Sequence, residues 1–83
     1  MTLPTIHLNG TGKQTLLDGY ENAHNAVREA LDALLAVEFN PRDYYVQGPD
    51  AWTAARDERE AMQRDLNRIQ TELETILIHV ADS

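Results

Sequence analysis

The chain has 83 residues, no cysteine and a formal charge of −7. A domain of this size buries only about 60% of the surface its unfolded chain exposes, and without cysteine it has no disulfide, zinc finger, iron–sulfur centre or thiol nucleophile. The acidic balance argues against wrapping duplex DNA or RNA, whose phosphates attract basic proteins, and no apolar run approaches the roughly 18 residues of a membrane span.

Residues 1–10 (MTLPTIHLNG) read as an extended arm, because Ile6 and Leu8 alternate with His7, and Asn9-Gly10 is a turn signal. The stretch lacks the basic flank and apolar core of a signal peptide, so a cytosolic setting is expected.

A first helix is expected from about residue 12 to 37. Thr11-Gly12-Lys13-Gln14 has the form of a capping box. Leu16, Tyr20, Ala23, Val27, Ala30, Leu34 and Val37 recur at alternating spacings of four and three, a heptad stripe. Leu17, Leu31 and Leu35 widen it, which asks for more than one neighbouring helix. Gly19 sits inside this helix at a cost of about 1 kcal/mol relative to Ala, and close helix packing or approach to a ligand would explain it.

Residues 38–48 form a long connection. Asn40-Pro41 breaks the first helix, and Gly48-Pro49 opens the second with Pro at its favoured first position. That second helix is expected from 49 to 80, with a stripe of Trp52, Ala55, Arg59, Met62, Leu66, Ile69, Leu73, Ile76 and Val80. Arg59 is its one polar member. It would either pair with an acid on another helix as a register device or reach outward along its stem. Closing the hairpin sets Leu34 near Trp52 to Ala55, Ala30 near Arg59 and Leu16 near Leu73. Helix 2 then overhangs at its C-terminal end, where Ile6, Leu8 and the His7 region of the arm would cover it and bring His7 near His79. The fold class is therefore all-α: a single domain over 1–83, a two-helix antiparallel hairpin with a short extended arm, completing a bundle by homo-oligomerisation.

The candidate site is the connection and the start of helix 2. Arg42, Asp43, Tyr44, Tyr45, Gln47 and Gly48 lie together in sequence, Trp52 and Arg56 follow, and five of the seven Lys and Arg residues fall between Arg42 and Arg68. Guanidinium groups read phosphate by a bidentate fork, a helix N-terminus favours anions, and aromatic faces stack on bases. The competing reading makes Tyr44, Tyr45 and Trp52 a cap on the open end of the bundle, with Arg42 paired to Asp43 or Asp50. Glu21-x-x-His24 has a spacing used in di-iron bundles, but it falls beside the inward stripe and no metal or other cofactor is expected. No phosphate loop, nucleophile elbow or HExxH is present and serine occurs only at Ser83, so an enzyme is not expected.

His7-Leu8-Asn9-Gly10-Thr11, Leu17-x-x-Tyr20 and Asn40-x-Arg42-Asp43-Tyr44-Tyr45-x-Gln47-Gly48-Pro49 resemble a set found in small uncharacterised proteins encoded by bacteriophages and prophages. These carry an HLNGT-like start and an N-x-RDYY-x-QG loop between two helices. The resemblance covers most of the chain, and it implies action in a bacterial host cytosol. It also adds Asn9 and Thr11 to the candidate site, reached across an antiparallel dimer. Two functions follow. In the first, the oligomer sequesters a nucleotide-derived, cyclic-nucleotide immune signal. Arg42 and the helix 2 amides would hold phosphate, Tyr44 or Tyr45 would stack on the base, and Gln47 would read its edge. In the second, the chain is a helical protein–protein interaction module, a phage adaptor, inhibitor or assembly factor without a small ligand, gripping a host or virion protein through an acidic face. The expected partners are a second copy of the chain and then that ligand or protein, with neither duplex nucleic acid nor membrane.

Overall fold

A computed structural model describes residues 1–83. Two long helices, α1 (Lys13–Ala36) and α2 (Ala51–Ala81), are joined through two short 3-10 turns, Pro41–Asp43 and Tyr45–Gln47, and the chain contains no strand. The helices run antiparallel: Lys13 at the start of α1 meets Ser83 beyond α2, while Arg59 near the start of α2 meets Val37 beyond α1. The molecule measures 61 × 21 × 17 Å with a radius of gyration of 18.4 Å, against about 12 Å for a compact chain of this length. No helix is long and apolar enough to cross a membrane.

The helix ends depart from the expected chemistry. Gly12 is the N-cap of α1 and no side chain caps it. The capping box does not form, because the N-cap is Gly12 rather than Thr11, and Gln14 donates forward to Asp18 at 2.8 Å, one turn along the helix. Asn40 is extended (φ −121°, ψ 137°), as the ring of Pro41 requires of the residue before it. Pro41 then opens the first 3-10 turn. Pro49 stands outside α2 rather than at its first position, with Asp50 as the N-cap. Gly48, just before Pro49, has φ 113°, a conformation that a Cβ would strain.

The two helices pair about one heptad away from the expected register. His24 on α1 lies beside Glu74, and the Arg59 guanidinium reaches the carbonyls of Leu35 and Val37. Ala30 therefore does not face Arg59. The overhang lies at the opposite end from the expected one. The first two turns of α2 project past α1, and the connection folds back over them. A heptad stripe repeats every seven residues, so patterning alone satisfies either alignment equally. The loop's 3-10 turns and the polar contacts decide between them.

The apolar stripe of α1 is divided. Leu16, Leu17, Tyr20, His24, Val27, Leu31 and Leu34 are half-buried toward α2, whereas Ala23, Ala30 and Val37 are exposed. His24 was expected beside the seam and instead occupies it, donating from Nε2 to the Glu74 carboxylate at 2.9 Å. On α2 the stripe from Leu66 to Val80 is half-buried or buried, as expected, whereas Trp52 and Ala55 lie on the overhang beside Phe39 and Tyr44 and Met62 is exposed.

The arm covers the far end of α2 with Ile6 but not with Leu8, which is 98% exposed. His79 donates Nε2–H to the Pro4 carbonyl at 2.7 Å, and Lys13 Nζ donates to the Ser83 main-chain oxygen at 2.9 Å. The His7 ring lies over Gly10 in the Asn9-Gly10 turn, so close that a Cβ on Gly10 would come within 2.7 Å of its Nε2. Under this cover Val80 is the one fully buried side chain of the protein. We expect Val80→Ala to lower unfolding free energy in urea by about 2 kcal/mol, while Leu8→Ala stays within about 0.5 kcal/mol of the parent. Equal effects would mean that the arm does not seal this end.

Candidate functional site

α1 ends without a basic residue in its last turn, although its unpaired carbonyls present partial negative charge there. Arg59 supplies the cation from the other helix. Its Nη1 donates to the Val37 carbonyl at 3.2 Å and its Nη2 to the Leu35 carbonyl at 3.4 Å. The guanidinium carbon also lies 4.7 Å from the centroid of the Phe39 ring, within cation–π range. Neither expected role for Arg59 holds. It does not pair with an acid and it does not reach outward, because the displaced register brings backbone oxygens and an aromatic face within reach of its fork.

Phe39 is the centre of a cluster that the sequence pattern did not single out, since it falls between the helices on neither stripe. Its ring stacks at a tilt on Trp52 (centroids 4.6 Å, interplanar angle 35°) and meets Tyr44 edge-on (5.8 Å, 67°). Tyr44 and Trp52 are 5.9 Å apart. The three rings fill the angle between the end of α1, the connection and the overhanging start of α2. A shallow groove beside them is lined by Leu34, Val37, Phe39, Tyr44, Ala55 and Met62 among others. Tyr44 and Trp52 thus belong to the structural cap, one of the two readings that the sequence left open. Tyr45 does not join it.

The rest of the candidate site forms the tip above this cap. Tyr45 is 68% and Val46 92% exposed, and Arg42, Asp43 and Gln47 are also exposed. No side-chain hydrogen bond or ion pair involves any of them. Arg42 pairs with neither Asp43 nor Asp50. The backbone beneath is ordered by successive turn bonds, from the Tyr44 amide to the Pro41 carbonyl at 3.0 Å and from the Gln47 amide to the Tyr44 carbonyl at 3.0 Å. Arg56 lies apart on the solvent face of α2, 3.8 Å from the carboxylate of its neighbour Asp57. Asn9 and Thr11 sit at the opposite end of the hairpin, beyond the start of α1, so a single chain does not bring them to the loop. No group of three or more His, Asp or Glu residues is placed to hold a metal ion, and Glu21 does not join His24.

The fold and site together define a helical hairpin with an aromatic-capped loop. No protein-family profile, curated protein or solved structure matches the chain.

The cap and the tip separate by mutation. Arg59→Ala removes a helix-end cation, a forked donor and a ring contact, and we expect it to cost about 2 kcal/mol in chemical denaturation. Arg59→Lys should recover only part of that, since an ammonium cannot fork. Trp52→Ala or Tyr44→Ala should cost about 2 kcal/mol or more, against about 0.5 kcal/mol or less for Tyr45→Ala and Arg56→Ala. A Tyr45→Ala change as damaging as Tyr44→Ala would place Tyr45 in the cap.

Proposed function

We propose that this chain is a non-enzymatic helical binding module that recognises a protein partner through the tip of its interhelical loop. One observation carries the reading. Phe39, Tyr44, Trp52 and Arg59 fix the loop from below, while Tyr45, Val46, Arg42 and Gln47 stand free above it. An exposed tyrosine and arginine on a rigid support have the composition of interface hot spots. A loop already ordered before binding loses less freedom on association. No cavity of the chain is lined by Arg42, Tyr45 or Gln47, whereas small-molecule sites are concave and enclose most of their ligand. The HLNGT-like start and the N-x-RDYY-x-QG loop support a phage-encoded origin and action in a bacterial cytosol, which makes a host or virion protein the natural partner class.

A second reading has its own support. Arg42 is an unpaired guanidinium, and Tyr45, three residues on, presents a ring stacked on nothing, the two elements needed for a phosphate and a base. In that reading the module sequesters a cyclic nucleotide signal, and a second chain supplies the missing wall of the site.

Capture from bacterial lysate with the parent chain and with folded Tyr45→Ala and Arg42→Ala variants as bait tests the first reading. A partner held by the parent and lost by both variants supports it. The same proteins, screened for thermal shift against cyclic dinucleotides, test the second. A ligand at 100 times its dissociation constant adds about 2.7 kcal/mol, and a shift in the parent that both variants lose would replace the first reading by the second. Captured partners retained equally by parent and variants would sink the loop-tip assignment.

A further inference from the structure

Beyond the loop tip, α1 carries a second apolar face that nothing in the hairpin covers. Gly19, Ala23, Ala26, Ala30, Ala33 and Val37 are all exposed. At 3.6 residues per turn they fall on one side of α1, beside the half-buried face. Together the two faces span roughly 200° of the helix, about twice what one neighbour occupies. The charged residues Asp18, Glu21, Arg28, Glu29 and Asp32 keep to the remaining arc. Two apolar depressions open on this side, one near each end. Thr15, Leu16, Gly19, Tyr20 and Ala23 line the first, and Leu34, Val37 and Met62 contribute to the second. The missing Cβ of Gly19 faces open space, so the hairpin itself gives no packing reason for a glycine there.

We infer that this face of α1 packs against the same face of a second copy of the chain, antiparallel about a two-fold axis that passes between Ala26 and Ala30, at the level of residue 28, to make a four-helix assembly. Three observations select a second copy as the occupant. The spacings along the face are four, three, four, three and four, which read the same in both directions. An antiparallel copy therefore presents the same positions at the same heights: Gly19 opposite Val37, Ala23 opposite Ala33 and Ala26 opposite Ala30. The ends are complementary in size, since each Val37 meets the space left by a Gly19. A two-fold contact requires that self-complementarity. The area also matches. The chain exposes 6055 Å², where a compact folded chain of 9.4 kDa exposes about 5,000 Å². The excess of about 1,000 Å² is close to the roughly 800 Å² that each partner contributes to a standard interface.

The antiparallel pairing sets the start of α1 in one copy beside the end of α1 in the other. The two ends of the candidate site, separated in one chain, then lie toward the same end of the pair.

The absence of cysteine makes the arrangement directly readable. Gly19→Cys and Val37→Cys are introduced into separate full-length chains and oxidised alone and mixed. The mixture should give a disulfide-linked dimer, and neither variant alone should. Self-crosslinking of each variant alone would overturn the antiparallel pairing, and a mixture that stays uncrosslinked would overturn the face. By sedimentation equilibrium the parent should weigh twice the 9.4 kDa chain. Ala26→Glu with Ala30→Glu, which places good helix formers at positions exposed in the single hairpin, should keep its helical circular dichroism and weaken dimerisation at least 100-fold. A monomeric parent, or a double variant that dimerises as the parent does, overturns the inference. Neither result touches the loop-tip reading, which fails separately if Tyr45→Ala leaves partner capture intact.

Discussion

The contact between Arg59 and the end of α1 is where the structure of this hairpin is decided. One side chain joins the last carbonyls of α1, the Phe39 ring and the body of α2. Because Arg59 stands more than two turns into α2, satisfying those carbonyls requires the first turns of α2 to run on past α1. The overhang then needs cover, and the connection supplies it through Phe39 and Tyr44 on Trp52. The loop is long enough to span that overhang, and its two 3-10 turns carry the chain back from α1 to α2. At the other end, the same alignment brings Val80 under the arm and the start of α1, which is where the one sealed core position lies.

Between these ends the hairpin is only half-buried. Two helices in contact share one seam, and amphipathic faces wider than that seam stay in water. The chain meets this limit with short side chains, so that alanine rather than leucine occupies most of the uncovered face of α1. The larger apolar side chains left exposed on or beside the two helices are Leu35, Val37, Met62 and Ile78, of which Val37 and Met62 lie beside the groove at the loop end.

Both helices, their antiparallel order and the break at Asn40-Pro41 were legible in the sequence, because heptad spacing and proline act locally. The excess width of the α1 stripe was legible too, in Leu17, Leu31 and Leu35. The division of that stripe was not, since Ala23 and His24 are adjacent residues and only the position of α2 determines which of them turns inward. The register was illegible for a related reason: a seven-residue repeat fits its neighbour equally well after a slip of seven. In the candidate site, Tyr44, Tyr45 and Trp52 were found as a group, but their separation into cap and tip depends on Phe39, an isolated residue with no pattern to mark it. Gln14 shows the limit of short motifs, since the helix starts one residue later than the box requires and its amide donates to Asp18 instead.

The pairing of His24 with Glu74 acquires a meaning from that repeat. A hairpin slipped by one heptad in either direction sets Asn67 or Ala81 where Glu74 stands, and draws the Arg59 fork away from the carbonyls it meets. Leucine against isoleucine survives the slip; these two polar engagements do not. The folding chain therefore chooses among commensurate alignments that its greasy residues cannot tell apart. Two side chains, one near the middle of the seam and one at its end, act as the notches that let a single alignment lock.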